Sequence, residues 1–284
     1  MTITVGIERT RAPSPGQAQP RLVSLPAESV EGALRRSPLL DGLDDEDSRA
    51  LRRQMSRVTL SRGQRLFNEG DAGDTLYVVL DGKMKLTRAT ADGRENLLSV
   101  IGPGEMFGEL SLFDPRPRTS TATAVTDPVL ASLKHEALMP WLRERPEVSL
   151  PILRAIAQRV RRANDTVADL VFTDVPGRVA RNLLDLADRF GSQEPDGLQV
   201  HHDLNQRELA QLVGSSRETV NKALADFAAR GWLRTSARSI LILDAERLRK
   251  RARLRPAPAR NLPPLAWWPA PDTSIADCGI PGYV

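Results

Sequence analysis

Between Pro146 and Phe172, apolar residues recur at Leu153, Ile156, Val160, Ala163, Val167 and Leu170, at intervals of 3, 4, 3, 4 and 3. That period predicts one long helix carrying a narrow apolar seam. A helix packed on its own domain also shows a stripe, but a seam this strict and this long is better matched by a two-fold coiled coil. A homodimer is therefore expected. The helix also divides the chain, because the sequence before it and the sequence after it follow different periods.

Ahead of the helix, residues 1 to about 30 carry Pro13, Pro15, Gly16, Pro20 and Pro26 without a sustained period and read as a flexible leader. Order is expected near Leu34. There Leu39, Leu40, Leu43, Leu51 and Met55 can line one face of short helices, with Asp44 or Asp47 at a helix start. From Val58 to Leu133 the pattern becomes short strands between turns. Leu76, Val78 and Leu80 alternate before Asp81-Gly82, Met84 and Leu86 alternate after it, and a second Asp-Gly stands at 92 and 93. Closely spaced strands of this kind suggest a sandwich or roll.

After "DVPGR" come a helical stretch, "RVARNLLDLADRFG", a polar loop, and then "NQRELAQLVGSSRETVNKALADFAARGWL". In that last run Leu209, Ala210 and Val213 share one helical face, and Val220, Leu224 and Phe227 share another. Gly214 sits between them, where a turn with positive φ is cheapest. The spacing predicts a helix-turn-helix with Ser216 as N-cap, which places Arg217, Glu218, Asn221 and Lys222 in the first two turns of the second helix. In this motif those turns face base edges in the major groove. Arg can contact guanine in bidentate fashion, Glu can accept from cytosine, and Lys can reach guanine or a phosphate. "WLR" and "SILIL" then read as a two-stranded wing, with Arg238 in its turn as a candidate phosphate contact or an ordinary surface charge.

Taken together, "FGELSLFDPRPRTSTA", the heptad helix, "DVPGRVA" and "SSRETVNKAL" resemble the Crp/Fnr family of bacterial transcription regulators, most closely its actinobacterial Crp/GlxR branch. The similarity runs from about Leu34 to Arg249. It implies an α+β chain with an N-terminal cyclic-nucleotide-binding β-roll (a jelly roll), a long dimerisation helix and a C-terminal winged helix-turn-helix. The implied division is a disordered leader over 1–30, the nucleotide-binding domain over 34–145, the dimerisation helix over 146–172, the winged helix over 174–249 and a disordered Pro-rich tail over 250–284.

The family's phosphate-binding cassette falls on Gly108, Glu109, Leu110, Arg118 and Thr119. Backbone amides near Gly108 and the charge of Arg118 suit a cyclic phosphate, and Glu109 suits the ribose 2′-hydroxyl. Two positions depart from the family's pattern. Thr119 replaces serine, as in other cyclic-nucleotide domains where threonine favours cGMP. Ala163-Asn164 replaces a Thr-Ser pair whose hydroxyls reach adenine within and across the dimer. Asn164 still offers a donor and an acceptor. In the reading helix the family's last arginine becomes Lys222, which keeps the charge and loses the planar fork. A TGTGA-type palindromic half-site would then be read mainly through Arg217 and Glu218.

The resemblance implies cAMP as allosteric effector, double-stranded DNA and a second copy of the chain as partners, RNA polymerase as a further partner, and a role in the bacterial cytoplasm without catalysis. The alternative is a Crp/Fnr-type regulator that binds DNA independently of cAMP or answers another ligand. Cys278 is the only cysteine, so neither a Cys-based metal site nor an iron–sulfur cluster is expected within one chain. His135, His201 and His202 lack companions at metal-ligand spacing and read as surface histidines. No window reaches the apolar length of a membrane span. Basic residues are 35 arginines and five lysines. That excess suits phosphate or guanine recognition and equally follows from genome composition. Six basic residues lie between Arg247 and Arg255, ahead of Pro-rich sequence that contains Trp267 and Trp268.

Overall fold

The computed structural model describes residues 21–24, 31–40, 43–90, 95–146 and 149–252. The Asp-Gly pair at 92 and 93, Cys278, Trp267, Trp268 and the tail beyond 252 lie outside the described residues. In chain order the first domain runs β1 (Arg21–Ser24), α1 (Glu31–Arg35), α2 (Asp45–Arg53), β2 (Ser56–Thr59), β3 (Arg65–Phe67), β4 (Thr75–Asp81) and β5 (Met84–Ala89). It continues with β6 (Glu95–Ile101), β7 (Met106–Phe107), α3 (Leu110–Phe113), β8 (Thr121–Ala124), β9 (Val129–Lys134) and α4 (His135–Glu144).

The strands form two antiparallel sheets, ordered β1-β2-β9-β4-β7 and β3-β8-β5-β6. Val58, Val79, Met84, Phe107, Ala122 and Leu130 fill the space between them. A second core covers the outer face of the first sheet, where Leu76, Val78 and Leu133 meet Leu34, Leu51, Leu138 and Trp141 from the helices. Strand β4 is therefore buried on both faces. Asp44 caps α2 by accepting from the Asp47 amide at 2.8 Å, and Gly82 turns β4 into β5 with φ +74°.

The leader expected over residues 1–30 contains structure. Arg21–Ser24 pairs antiparallel with β2, Leu22 opposite Val58, and so occupies an edge whose backbone groups need partners.

A 24-residue helix, α5 (Ser149–Phe172), follows the roll. Its N-terminal end packs into the helix-covered core through Ile152 and Ile156. Leu153 beside them and, farther along, Val160, Val167, Leu170, Val171 and Phe172 stay exposed, Val160 by 54% and Phe172 by 80%. Apart from Ile156, the seam read from the sequence thus stands uncovered in the single chain.

Asp174 caps α6 (Val175–Phe190), accepting from the Gly177 amide at 3.1 Å. The segment after α6 is a hairpin and not the expected polar loop: β10 (Gly191–Glu194) pairs with β11 (Gly197–His201). It joins the wing strands β12 (Leu233–Thr235) and β13 (Ser239–Ile242) in one sheet ordered β10-β11-β13-β12. Strand β10 is exposed at every residue, so no apolar alternation announces it. The remaining helices are α7 (Gln206–Val213), α8 (Arg217–Ala229) and α9 (Ala245–Arg251).

The winged module lies against the roll. Leu97, Val100, Val125 and Leu204 form a small apolar cluster at the junction, joined by Phe190 and Leu212. Around it Lys83 pairs with Asp203 at 2.5 Å, Lys85 pairs with Glu208 at 2.6 Å, and Gln211 donates to the Glu95 carbonyl at 2.5 Å. His202, expected at the surface, is 2% exposed here, and its Nδ1 accepts from the Leu204 amide at 3.1 Å. Burial pushes its pKa down to about 4, so it sits neutral at the junction near physiological pH. No helix among the described residues is long and apolar enough to cross a membrane.

Candidate nucleotide pocket and DNA-reading surface

The cassette loop begins at Gly108, which has φ +83°. A Cβ there would lie 2.8 Å from Arg118 Nη1 and 3.0 Å from the Thr75 carbonyl oxygen, so both conformation and space require glycine. A Cβ at Gly73 would overlap the same guanidinium. Two glycines thus leave room for a side chain that is 5% exposed, a rare depth for arginine.

The Arg118 backbone is fixed on both sides: its amide donates to the Asp71 carbonyl and its carbonyl accepts from the Gly70 amide, each at 2.8 Å. Its side chain donates to the Gly108 carbonyl at 2.8 Å and to the Thr75 carbonyl at 2.7 Å, and lies 4.4 Å over the Phe67 ring. Burial lowers its pKa from the usual guanidinium value, against the pull of Tyr77, Asp74, Glu109 and Asp71. Arginine stays charged under any such shift.

Glu109 is 1% exposed, and Arg159 of α5 pairs with its Oε1 while donating to the Met106 carbonyl at 2.5 Å. At this site two buried polar atoms remain without a partner, Arg118 Nε and Glu109 Oε2, as do Nε atoms of arginines elsewhere such as Arg57 and Arg181. Buried polar groups are rarely left unpaired, so each such atom calls for an explanation. Here one is a charged donor and the other a charged acceptor. A cavity of about 200 Å³ opens beside Glu109, with Gly104, Glu105, Met106, Ile156 and Arg159 in its wall.

Among the cassette residues read from the sequence, Gly108, Glu109 and Arg118 come together, whereas Thr119 is exposed and Leu110 is 46% exposed. Asn164 is exposed on α5, in the half of the helix that carries the uncovered seam. Arg159 was not singled out in the sequence. The available signal was its place four residues before Ala163, one turn along the same helical face.

In the winged module, α7 begins with a reciprocal cap: Asn205 accepts from the Glu208 amide at 3.0 Å while the Glu208 side chain accepts from the Asn205 amide at 2.8 Å. The helix ends at Gly214 with φ +69°. Ser216 caps α8 by accepting from the Thr219 amide at 3.1 Å. Val220, Ala223, Leu224 and Phe227 are buried, which turns Arg217, Glu218 and Lys222 outward to solvent and leaves Asn221 half-buried. Arg238 is exposed between the wing strands, and its carbonyl accepts from the Asp203 amide at 3.0 Å.

Arg178, also missed in the sequence, ties this unit to the end of α5. It donates to the Val213 and Gly214 carbonyls at 3.1 Å each and to the Thr173 carbonyl at 2.9 Å. One guanidinium therefore fixes the helix-turn-helix turn to the residue that follows α5.

Residues 57–145 match the family of cyclic nucleotide-binding domains, and residues 177–251 match the Crp-like helix-turn-helix domain. The chain is 54% identical over 224 residues to the CRP-like cAMP-activated global transcriptional regulator of Mycobacterium tuberculosis, a match that covers 79% of this chain and 100% of that protein. It is 34% identical over 212 residues to the cyclic AMP receptor protein of Thermus thermophilus, covering 75% of this chain and 95% of that one. A crystal structure of a CRP-family transcriptional regulator from Thermus thermophilus superposes with a TM-score of 0.59 at 29% identity, covering 69% of this chain and 96% of that one.

Proposed function

The chain belongs to the Crp/Fnr family of transcription regulators, and from that premise we propose that it is a cAMP-responsive homodimer that reads a palindromic TGTGA-type operator in the bacterial cytoplasm. It is a DNA-binding regulator with a cyclic-nucleotide-binding domain, not an enzyme. The observation that carries the proposal is the pair of orphaned buried atoms, Arg118 Nε and Glu109 Oε2. A cyclic ribonucleotide offers both complements in one molecule, an anionic phosphate for the donor and a ribose hydroxyl for the acceptor.

In this reading the pocket consists of Gly108, Glu109, Leu110, Arg118 and Thr119, with Arg159 holding Glu109 in place. Asn164 meets the base from α5, whose exposed seam is covered by the second copy. Ser216, Arg217, Glu218, Asn221, Lys222 and Arg238 face DNA, and RNA polymerase is the further partner of the bound dimer. The working division is 34–145 for nucleotide binding, 146–172 for dimerisation and 174–249 for DNA reading.

The test is calorimetric titration of the full chain with cAMP, 2′-deoxy-cAMP and 5′-AMP. A hydrogen bond to a charged group contributes about 1.5–3 kcal/mol, so loss of the 2′-hydroxyl weakens binding about ten- to a hundredfold. Equal affinity for cAMP and 2′-deoxy-cAMP contradicts the role given to Glu109.

A second reading, a regulator that binds DNA without cAMP or answers another ligand, draws on one specific observation. Arg159 and the carbonyls of Gly108 and Thr75 already partner part of the charge in the pocket. Absence of heat with cAMP, together with tight operator binding by the free protein, favours that reading.

A further inference from the structure

The loop from Gly102 to Glu105 serves two neighbours. Gly104 and Glu105 line the cavity beside Glu109, and Gly102 lies against α6 of the winged module, where a Cβ would overlap the Phe190 ring. Arg189 of α6 reaches into this loop with its side chain only 16% exposed. It donates to the Val100 carbonyl and, at 2.6 Å, to Glu105 Oε2, the oxygen that also accepts from the Gly102 amide at 2.8 Å. Glu105 Oε1 faces Arg162 of α5 at 3.6 Å. Burial works against the Arg189 charge, but Glu105 and Asp185 outweigh it and hold its pKa above the usual guanidinium value.

Glu105 therefore stands between the helix that walls the cavity and the helix that carries the reading unit. Arg159 and Arg162 lie three residues apart on one helix and line the same cavity, Arg159 paired with Glu109 and Arg162 facing Glu105. The other junction contacts described, Lys83 with Asp203, Lys85 with Glu208 and the Leu97–Leu204 cluster, hold the module without touching the cavity wall. Arg189 thus joins the winged module to a cavity-lining side chain.

We propose that Arg189 is a positioning residue of the switch: through Glu105 it transmits the occupancy of the nucleotide pocket to the orientation of the reading helix. The proposal rests on the reading of the pocket as a cyclic-nucleotide site. It requires two packings of α6 against the Gly102–Glu105 loop, between which a filled pocket chooses.

The test uses full-length wild type, Arg189→Gln and Arg189→Lys. For each, the dissociation constant for a TGTGA-type palindromic duplex is measured without and with saturating cAMP, and cAMP binding is measured by calorimetry. Arg189→Gln is expected to bind cAMP within about threefold of wild type while the ratio of the two DNA constants falls at least about fivefold, the lower end of ordinary allosteric coupling. Arg189→Lys, which keeps the charge but loses the fork, is expected to give an intermediate ratio. A merely structural role would lower the melting temperature of Arg189→Gln and leave the ratio at its wild-type value, and that result overturns the proposal. Should Arg189→Gln not fold, a wild-type ratio in Arg189→Lys overturns it as well. A wild-type ratio of one without heat from cAMP removes the pocket reading and this inference together, whereas a ratio of one with cAMP bound, or a large wild-type ratio preserved in the variants, removes only the inference.

Discussion

In Arg118→Gln, the affinity for cAMP is expected to fall by about two to three orders of magnitude. The wild-type guanidinium is 5% exposed and spends two donors on the Gly108 and Thr75 carbonyls, leaving Nε as a buried charged donor without a partner. A phosphate oxygen at that position gains a charge-assisted hydrogen bond and the attraction of a charge screened little by solvent. Removing one partner of such a buried pair costs about 3–5 kcal/mol, and each 1.4 kcal/mol is a factor of ten. Glutamine is the informative replacement because its amide can still serve one of the two carbonyls, which limits the damage to the loop. Arg118→Ala would leave both carbonyls without a side-chain donor and mix a folding defect into the result. Calorimetry at a temperature well below the melting point of the variant gives the number; cAMP affinity within threefold of wild type contradicts the assignment.

In Val160→Glu, the dimer is expected to dissociate at concentrations where the wild-type protein is fully paired, with operator affinity falling at least about a hundredfold. Val160 is 54% exposed in one chain and occupies the middle of the Leu153 to Leu170 seam. Covering a Val or Leu side chain contributes about 1.5–3 kcal/mol, and a two-fold seam counts each substitution twice. Placing two facing carboxylates there adds the cost of removing charge from water. A monomer can engage only one half-site, so the loss carries over to DNA. Arg161→Glu, exposed and one residue off the seam, serves as the control and leaves the dimer intact. Sedimentation velocity separates the outcomes: a Val160→Glu protein that sediments as a dimer places the two-fold contact elsewhere.

Features governed by local chemistry were legible in the sequence. Gly214 and Ser216 mark the turn and cap of the reading helix because a left-handed residue and an N-cap hydroxyl have few substitutes, and both stand where expected. The heptad was legible for the same reason, since its period exists along the chain before any partner is considered. Strand β4 was found from Leu76, Val78 and Leu80, but its burial on both faces was not, because Val79 faces a second core and the alternation conceals that burial. The β10–β11 hairpin was missed despite Asp196-Gly197, the kind of dipeptide that gave Asp81-Gly82, since no apolar strand flanks it on its first side. Around the pocket, Gly108, Glu109 and Arg118 were placed by the resemblance of one loop to the family's cassette. Arg159, Arg178, Arg189 and the buried His202 were not. Two of them acquire their roles from groups distant in sequence: Arg159 meets Glu109 fifty residues away and Arg189 meets Glu105 eighty-four residues away. No local period or motif records such a meeting.

The buried charges of Arg118 and Glu109, the apolar seam on α5 and the exposed reading helix would together make one switch. Titration of the full-length protein with cAMP while its affinity for a palindromic TGTGA-type duplex is followed tests all three together. The predicted result is a saturable rise in DNA affinity of at least about tenfold, a coupling of ordinary allosteric size. A DNA affinity that stays constant from zero to saturating cAMP, with nucleotide binding verified in the same sample, would contradict it.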